Sequence, residues 1–109
     1  MPPSDERPDF ENALFLRFLK CWESGDYFEA HEAMEELWKE KGRIKNDLYR
    51  GLTQLAVSLE HAARKNRNGA ASVFKKAREN IQEHAARWAE IQKLSEEAYL
   101  YLKRNKVIE

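Results

Sequence analysis

The stretch Gly25-Asp26-Tyr27-Phe28-Glu29-Ala30-His31-Glu32-Ala33-Met34-Glu35-Glu36-Leu37-Trp38 decides how this chain is read. Asp26 with Glu29 makes a capping-box-like pair, which satisfies backbone N–H groups that no helical carbonyl reaches. From Tyr27 to Lys39 the apolar residues return at helical spacing. Tyr27, Ala30, Met34, Leu37 and Trp38 fall on one stripe, and His31 lies inside it. Glu29 and Glu36 face the other way, toward water. Glu35 flanks the stripe one turn beyond His31, and Glu32 sits further round. Ser24-Gly25-Asp26 ends the helix before it, so a tight corner joins two antiparallel neighbours.

The same period runs outward in both directions, and no strand-type alternation occurs between the breaks. A first helix is expected from about Asp9 to Glu23, capped by Asp9, with Phe10, Leu14, Phe15, Phe18, Leu19, Cys21 and Trp22 inward. A third runs from about Asn46 to Lys65. Leu48, Leu52, Leu55, Ala56, Leu59, Ala62 and Ala63 form its broad apolar face; Gly51, Gln54, Ser58 and His61 form a second stripe beside it. A helix with so few charges on either face belongs at the centre, packed on two sides. Asn66-Arg67-Asn68-Gly69 reads as a turn, followed by a helix from about Ala70 to Ala89. A last helix starts near Ser95 and ends in Lys103-Arg104-Asn105-Lys106, cations that suit a helix C-terminus. Short connections make this a single all-α domain, an antiparallel bundle of about five helices over 9–109, behind a flexible segment at 1–8.

Composition narrows the function classes. A chain of 109 residues holds one modest core. Its 19 basic and 19 acidic residues cancel, which argues against a free-standing nucleic-acid binder. The single cysteine, Cys21, makes neither an intrachain disulfide nor a thiolate metal cage and reads as a small buried hydrophobe. No apolar run approaches the ~20 residues that span a bilayer. The N-terminal residues lack the apolar core of a signal peptide, and the expectation is a cytoplasmic protein.

Two groups of residues carry chemistry. His31 and Glu35, four apart, share a helix face, as do Gln54 and His61, seven apart on the next helix. Together with Glu32 and Trp38 they form one polar cluster if the two helices lie side by side. Imidazole and carboxylate suit a borderline metal ion or general acid–base work. The plainer reading of the same residues is a buried histidine satisfied by a carboxylate or by Gln54. His31-Glu32-x-x-Glu35 lacks the second histidine of zinc-protease helices, and no Glu-x-x-His repeat of di-iron bundles is present. The second group is Arg64, Lys65, Arg67, Lys75, Lys76 and Arg78, a run without an acid around the start of the fourth helix, where free N–H groups favour anions. It reads as an anion or RNA site, or as a solvated basic face. No Gly-rich phosphate cradle accompanies it.

At Gly25 to Ala30 the corner is similar to that of a tetratricopeptide repeat, although no second copy follows at the 34-residue interval. From Gly25 to Phe74 the chain more closely resembles the domain-of-unknown-function family numbered 309. Tyr27-Phe28-Glu29-Ala30-His31-Glu32 with Glu35 and Trp38 carry the likeness, followed by Gly51-Leu52-Thr53-Gln54-Leu55-Ala56 with His61, then Asn66 and Gly69-Ala70. Lys65 stands where that pattern has glycine. The resemblance implies a small all-helical fold, no established activity, and a common pattern that includes His31, Glu32, Glu35, Trp38, Gln54 and His61.

The leading reading is a helical binding or interaction protein without its own catalysis, whose polar cluster stiffens the contact of helices two and three. A protein partner or a second copy is its expected ligand. The alternatives are a metal-dependent or acid–base enzyme acting on a small substrate through the cluster, and anion or RNA binding through residues 64–78. The residues specify no cofactor and no particular metal.

Overall fold

A computed structural model of the chain describes residues 8–43 and 48–108. The described residues form five helices and no strand: α1 (Ala13–Ser24), α2 (Tyr27–Glu40), α3 (Leu48–Ala63), α4 (Arg67–Arg87) and α5 (Ala89–Arg104). The protein is an all-α bundle. The expected flexible residues 1–7 and the expected start of helix three at Asn46 lie outside the described residues.

Each turn follows from local chemistry. Gly25 closes α1 in the left-handed conformation at φ 81°, and the Asp26 amide donates to the Cys21 carbonyl at 2.9 Å. The Asp26 side chain then accepts from the Glu29 amide at 3.2 Å and starts α2, as its sequence requires. Asn12, rather than Asp9, caps α1, accepting from the Leu14 amide at 2.8 Å. The Asp9 amide is drawn off to donate to the Tyr49 hydroxyl at 2.8 Å.

The turn after α3 differs from expectation. Lys65 takes the left-handed position, at φ 64°, where glycine costs nothing. Asn66 is then free to cap α4, accepting from the Gly69 amide at 3.0 Å, so the helix starts at Arg67 and not at Ala70. The boundary between the last two helices also moves. One extended residue, Trp88, separates α4 from α5, and α5 begins at Ala89 rather than near Ser95. Ile91, Leu94, Ala98 and Leu102 form its buried stripe.

Successive helices run antiparallel, as cross-helix partners show. His31 meets Glu60 while Trp38 meets Arg50 between α2 and α3. Gln54 meets Asn80 between α3 and α4. The groove between α4 and α5 is lined by Arg78 with Tyr99 and by Ala85 with Gln92. Helix α3 packs on both α2 and α4 and is buried at Leu48, Leu52, Leu55, Ala56, Ser58 and Leu59 alike, so it is the central helix that its composition implies. A chain of edge-on aromatic rings from Phe10 through Phe15 to Phe18, and from Trp22 through Tyr27 to Tyr101, closes the bundle.

The tightest helix contact is at Gly51. A Cβ there would run into the Ile81 side chain and stand 3.1 Å from Asn80 Cβ. Gly51→Ala should therefore lose about 1–2 kcal/mol in urea unfolding, because overpacking outweighs the gain in helix propensity. Lys65→Gly should gain about 0.5–1 kcal/mol in the same measurement, by relieving the left-handed side chain.

Candidate functional site

His31 is brought to the α2–α3 seam by the stripe that buries Ala30, Ala33, Met34 and Leu37. It stops short of full burial, and 21% of its side chain is exposed. Its ring stands among three carboxylates. Nε2 lies 3.4 Å from Glu35 Oε1 and 3.9 Å from Glu32 Oε2, both on its own helix. Nδ1 lies 3.3 Å from Glu60 Oε1, which comes from α3. Nδ1 is shielded from solvent and makes no well-aligned hydrogen bond.

Two of the three carboxylates divide their oxygens between the ring and a cation. Glu35 turns Oε2 to Lys39 Nζ at 3.9 Å, and Glu60 turns Oε2 to the Arg64 guanidinium at 3.1 Å. Both cations lie one helical turn further on. They hold the carboxylates in place and leave one oxygen of each facing the imidazole. Phe28, 45% exposed, sets its ring edge-on to His31 at 5.9 Å between centroids.

One donor atom each from His31, Glu32 and Glu35 lies within 4.8 Å of the others. Nitrogen with two carboxylate oxygens is a donor set for a borderline divalent ion, and three protein ligands leave coordination positions open. On the α1–α2 side, Glu32 and Glu35 also line an open groove of about 380 Å³ with Arg17, Glu29, Glu36 and Lys39.

The remaining residues expected in the cluster are engaged elsewhere. Gln54 Oε1 accepts from Asn80 Nδ2 at 2.6 Å, on the α4 side of α3. His61 Nδ1 stands 3.3 Å from Asn66 Nδ2 at the α3–α4 turn. Trp38, two turns along α2 from His31, has the Arg50 guanidinium 5.9 Å from its ring centre. The contact of helices two and three therefore carries a His–carboxylate group built on Glu60 rather than on Gln54 and His61. Glu60 has a sequence signal. It is the one acid between Leu48 and Arg78, four residues before Arg64, on a helix otherwise short of charge. A lone acid on a central helix marks a place where it meets a partner or water.

The basic residues do not converge. Arg64 is taken by Glu60, and Lys65 and Arg67 sit at the turn into α4. Lys75 and Lys76 are exposed further along α4, and Arg78 lies over the Phe74 ring at 5.6 Å. Among the described residues no helix is long and apolar enough to cross a membrane.

An all-α bundle with a half-open histidine–carboxylate group at one helix seam is the class that fold and geometry define. The chain belongs to the family described as domain of unknown function (DUF309), which matches residues 15–73 and so covers most of α1, all of α2 and α3, and the start of α4. It is similar to an uncharacterized protein of Aquifex aeolicus, 38% identical over 71 residues, covering 62% of this chain and 20% of that protein. It is also similar to the uncharacterized protein YpuF of Bacillus subtilis, 52% identical over 46 residues, covering 41% of this chain and 26% of that one. The chain thus spans about a quarter or less of the curated relatives it matches. No solved structure matches it.

The Gln54–Asn80 bond is half-buried and joins two helices. Gln54→Ala should cost about 1 kcal/mol by stranding the Asn80 amide, read by urea unfolding.

Proposed function

We propose that this protein is a small helical binding module whose ligand is a divalent metal ion held by His31, Glu32 and Glu35. The observation that carries the reading is the placing of carboxylates on both nitrogens of one imidazole, at 3.3 Å and 3.4 Å. A neutral ring has one N–H to donate. Whichever nitrogen holds it, the other turns a lone pair toward a carboxylate, and the two repel. A cation at Nε2, whether a metal ion or a second ring proton, removes the conflict. Glu32 and Glu35 then supply the two negative charges that balance a divalent ion, and their spacing to His31 needs little change to close around it.

The donor set favours zinc, manganese, iron(II) or cobalt over calcium, which prefers an all-oxygen shell. In the expected cluster, Gln54 and His61 belong to the frame rather than to the ion. The basic stretch is surface, because Arg64 is committed to Glu60 and Arg78 to Phe74.

Protein purified without a nickel column and stripped with chelator should bind one Zn²⁺ or Mn²⁺ per chain in calorimetric titration. His31→Ala and Glu35→Ala should abolish that heat, and Gln54→Ala should leave it as in the parent. Absence of a saturable heat with any of zinc, manganese and cobalt would overturn the reading.

A further inference from the structure

We infer that Glu60 is a positioning residue that selects which nitrogen of His31 is bare, and that Arg64 enforces the choice. The inference rests on the metal reading above for its consequence, but its own content is the state of the histidine ring in the metal-free protein.

The two faces of the ring are unequal. Nδ1 is shielded from solvent, and the side chain it faces, Glu60, is only 16% exposed. Nε2 faces Glu35 and Glu32, whose side chains are 32% and 51% exposed. A lone pair set against a carboxylate costs more on the dry side, where no water can intervene and screening is weak. The ring proton therefore sits on Nδ1 and points to Glu60, and the bare Nε2 points to the wet side with its two carboxylates. The Nδ1–Glu60 approach, at 3.3 Å, is imperfectly aligned for a hydrogen bond, and a small turn of the ring or of the carboxylate aligns it. A carboxylate behind the histidine nitrogen opposite the metal is the arrangement that fixes a ligating ring in other proteins.

Arg64 makes the assignment testable. Its guanidinium stands 3.1 Å from Glu60 Oε2, and a guanidinium can donate hydrogen bonds but never accept one. In Glu60→Gln the amide oxygen must turn to Arg64, which leaves the NH₂ group facing His31 Nδ1. That group is a donor, so Nδ1 has to accept, and the ring proton moves to Nε2. There it points to Glu35 and stands in the metal's place. In the double variant Glu60→Gln/Arg64→Ala the amide is free to turn its oxygen back to Nδ1. An effect that a second, charge-removing change reverses is not what loss of a merely structural contact produces.

The experiment is ¹⁵N-resolved NMR of the histidine rings in the metal-free protein at alkaline pH, where a neutral ring carries one proton. The expected result is Nδ1–H for His31 in the parent, Nε2–H in Glu60→Gln, and Nδ1–H again in the double variant. Zinc affinity should fall about 10–100-fold in Glu60→Gln and recover in the double variant. An Nε2–H ring or an even mixture in the parent, which needs no variant to fold, would overturn the inference. So would a ring state unchanged by Glu60→Gln. Failure of the parent to bind any metal while the ring states follow the pattern would sink the metal reading and leave the role of Glu60 standing. Metal binding with ring states indifferent to Glu60 would do the reverse.

Discussion

Burial of α3 on two sides is the constraint on which the rest of the structure depends. One face of that helix must accept α4 closely, and it does so at Gly51, where no side chain intervenes before Ile81. The opposite face must accept α2, whose own apolar stripe seals the seam with Ala30, Ala33, Met34 and Leu37. With both faces committed, few directions remain for a charged side chain on α3. Glu60 takes one of them, at the edge of the α2 seam, and His31 lies opposite. The polar group is thus a consequence of how the apolar surfaces close. It requires no strained backbone of its own.

That origin explains the division of labour within the group. Three of its members sit on one turn of α2. Helix geometry brings Glu35, four positions on, to His31 without tertiary help, while Glu32, the next residue in the chain, stays further off at 3.9 Å. The fourth comes from α3 and reaches the ring from its dry side. A helix by itself holds His31 near Glu32 and Glu35 in many rotamers. The tertiary contact narrows them, because packing fixes where the ring plane lies and Glu60 distinguishes its two nitrogens. Exposure then grades across the group, from Glu60 inward to Glu32 outward, so that one side of a single imidazole meets a mostly buried carboxylate and the other meets two more exposed ones. The arrangement suits a ligand that arrives from solution and is held by a ring oriented from behind.

The same closure accounts for the polar residues that the fold places apart. Gln54 and His61 are seven residues apart and do share a face of α3, as their spacing requires. The face turned out to serve α4 and its turn. Asn80 satisfies Gln54, and Asn66 meets His61. Both partners are asparagines, Asn66 within the basic run and Asn80 just beyond it. Spacing along one helix tells which residues travel together; it does not tell which neighbour they travel toward.

By itself the sequence determined the helical class, the corner at Gly25-Asp26, the central place of α3 and the shared helix face of His31 and Glu35. Each of these follows from interactions between residues a few positions apart, and short-range geometry is written in the order of residues. Only the tertiary structure decided that Glu60 completes the group, that Lys65 rather than a glycine takes the left-handed turn, and that the last two helices part at Trp88. No glycine or proline stands between residues 70 and 108 to announce that last break. It is made by packing: the Trp88 ring stacks edge-on to Phe10 at 6.3 Å, a contact between residues far apart in the chain. Such contacts depend on which surfaces meet, and that is settled by the burial of the whole core rather than by any local run of residues.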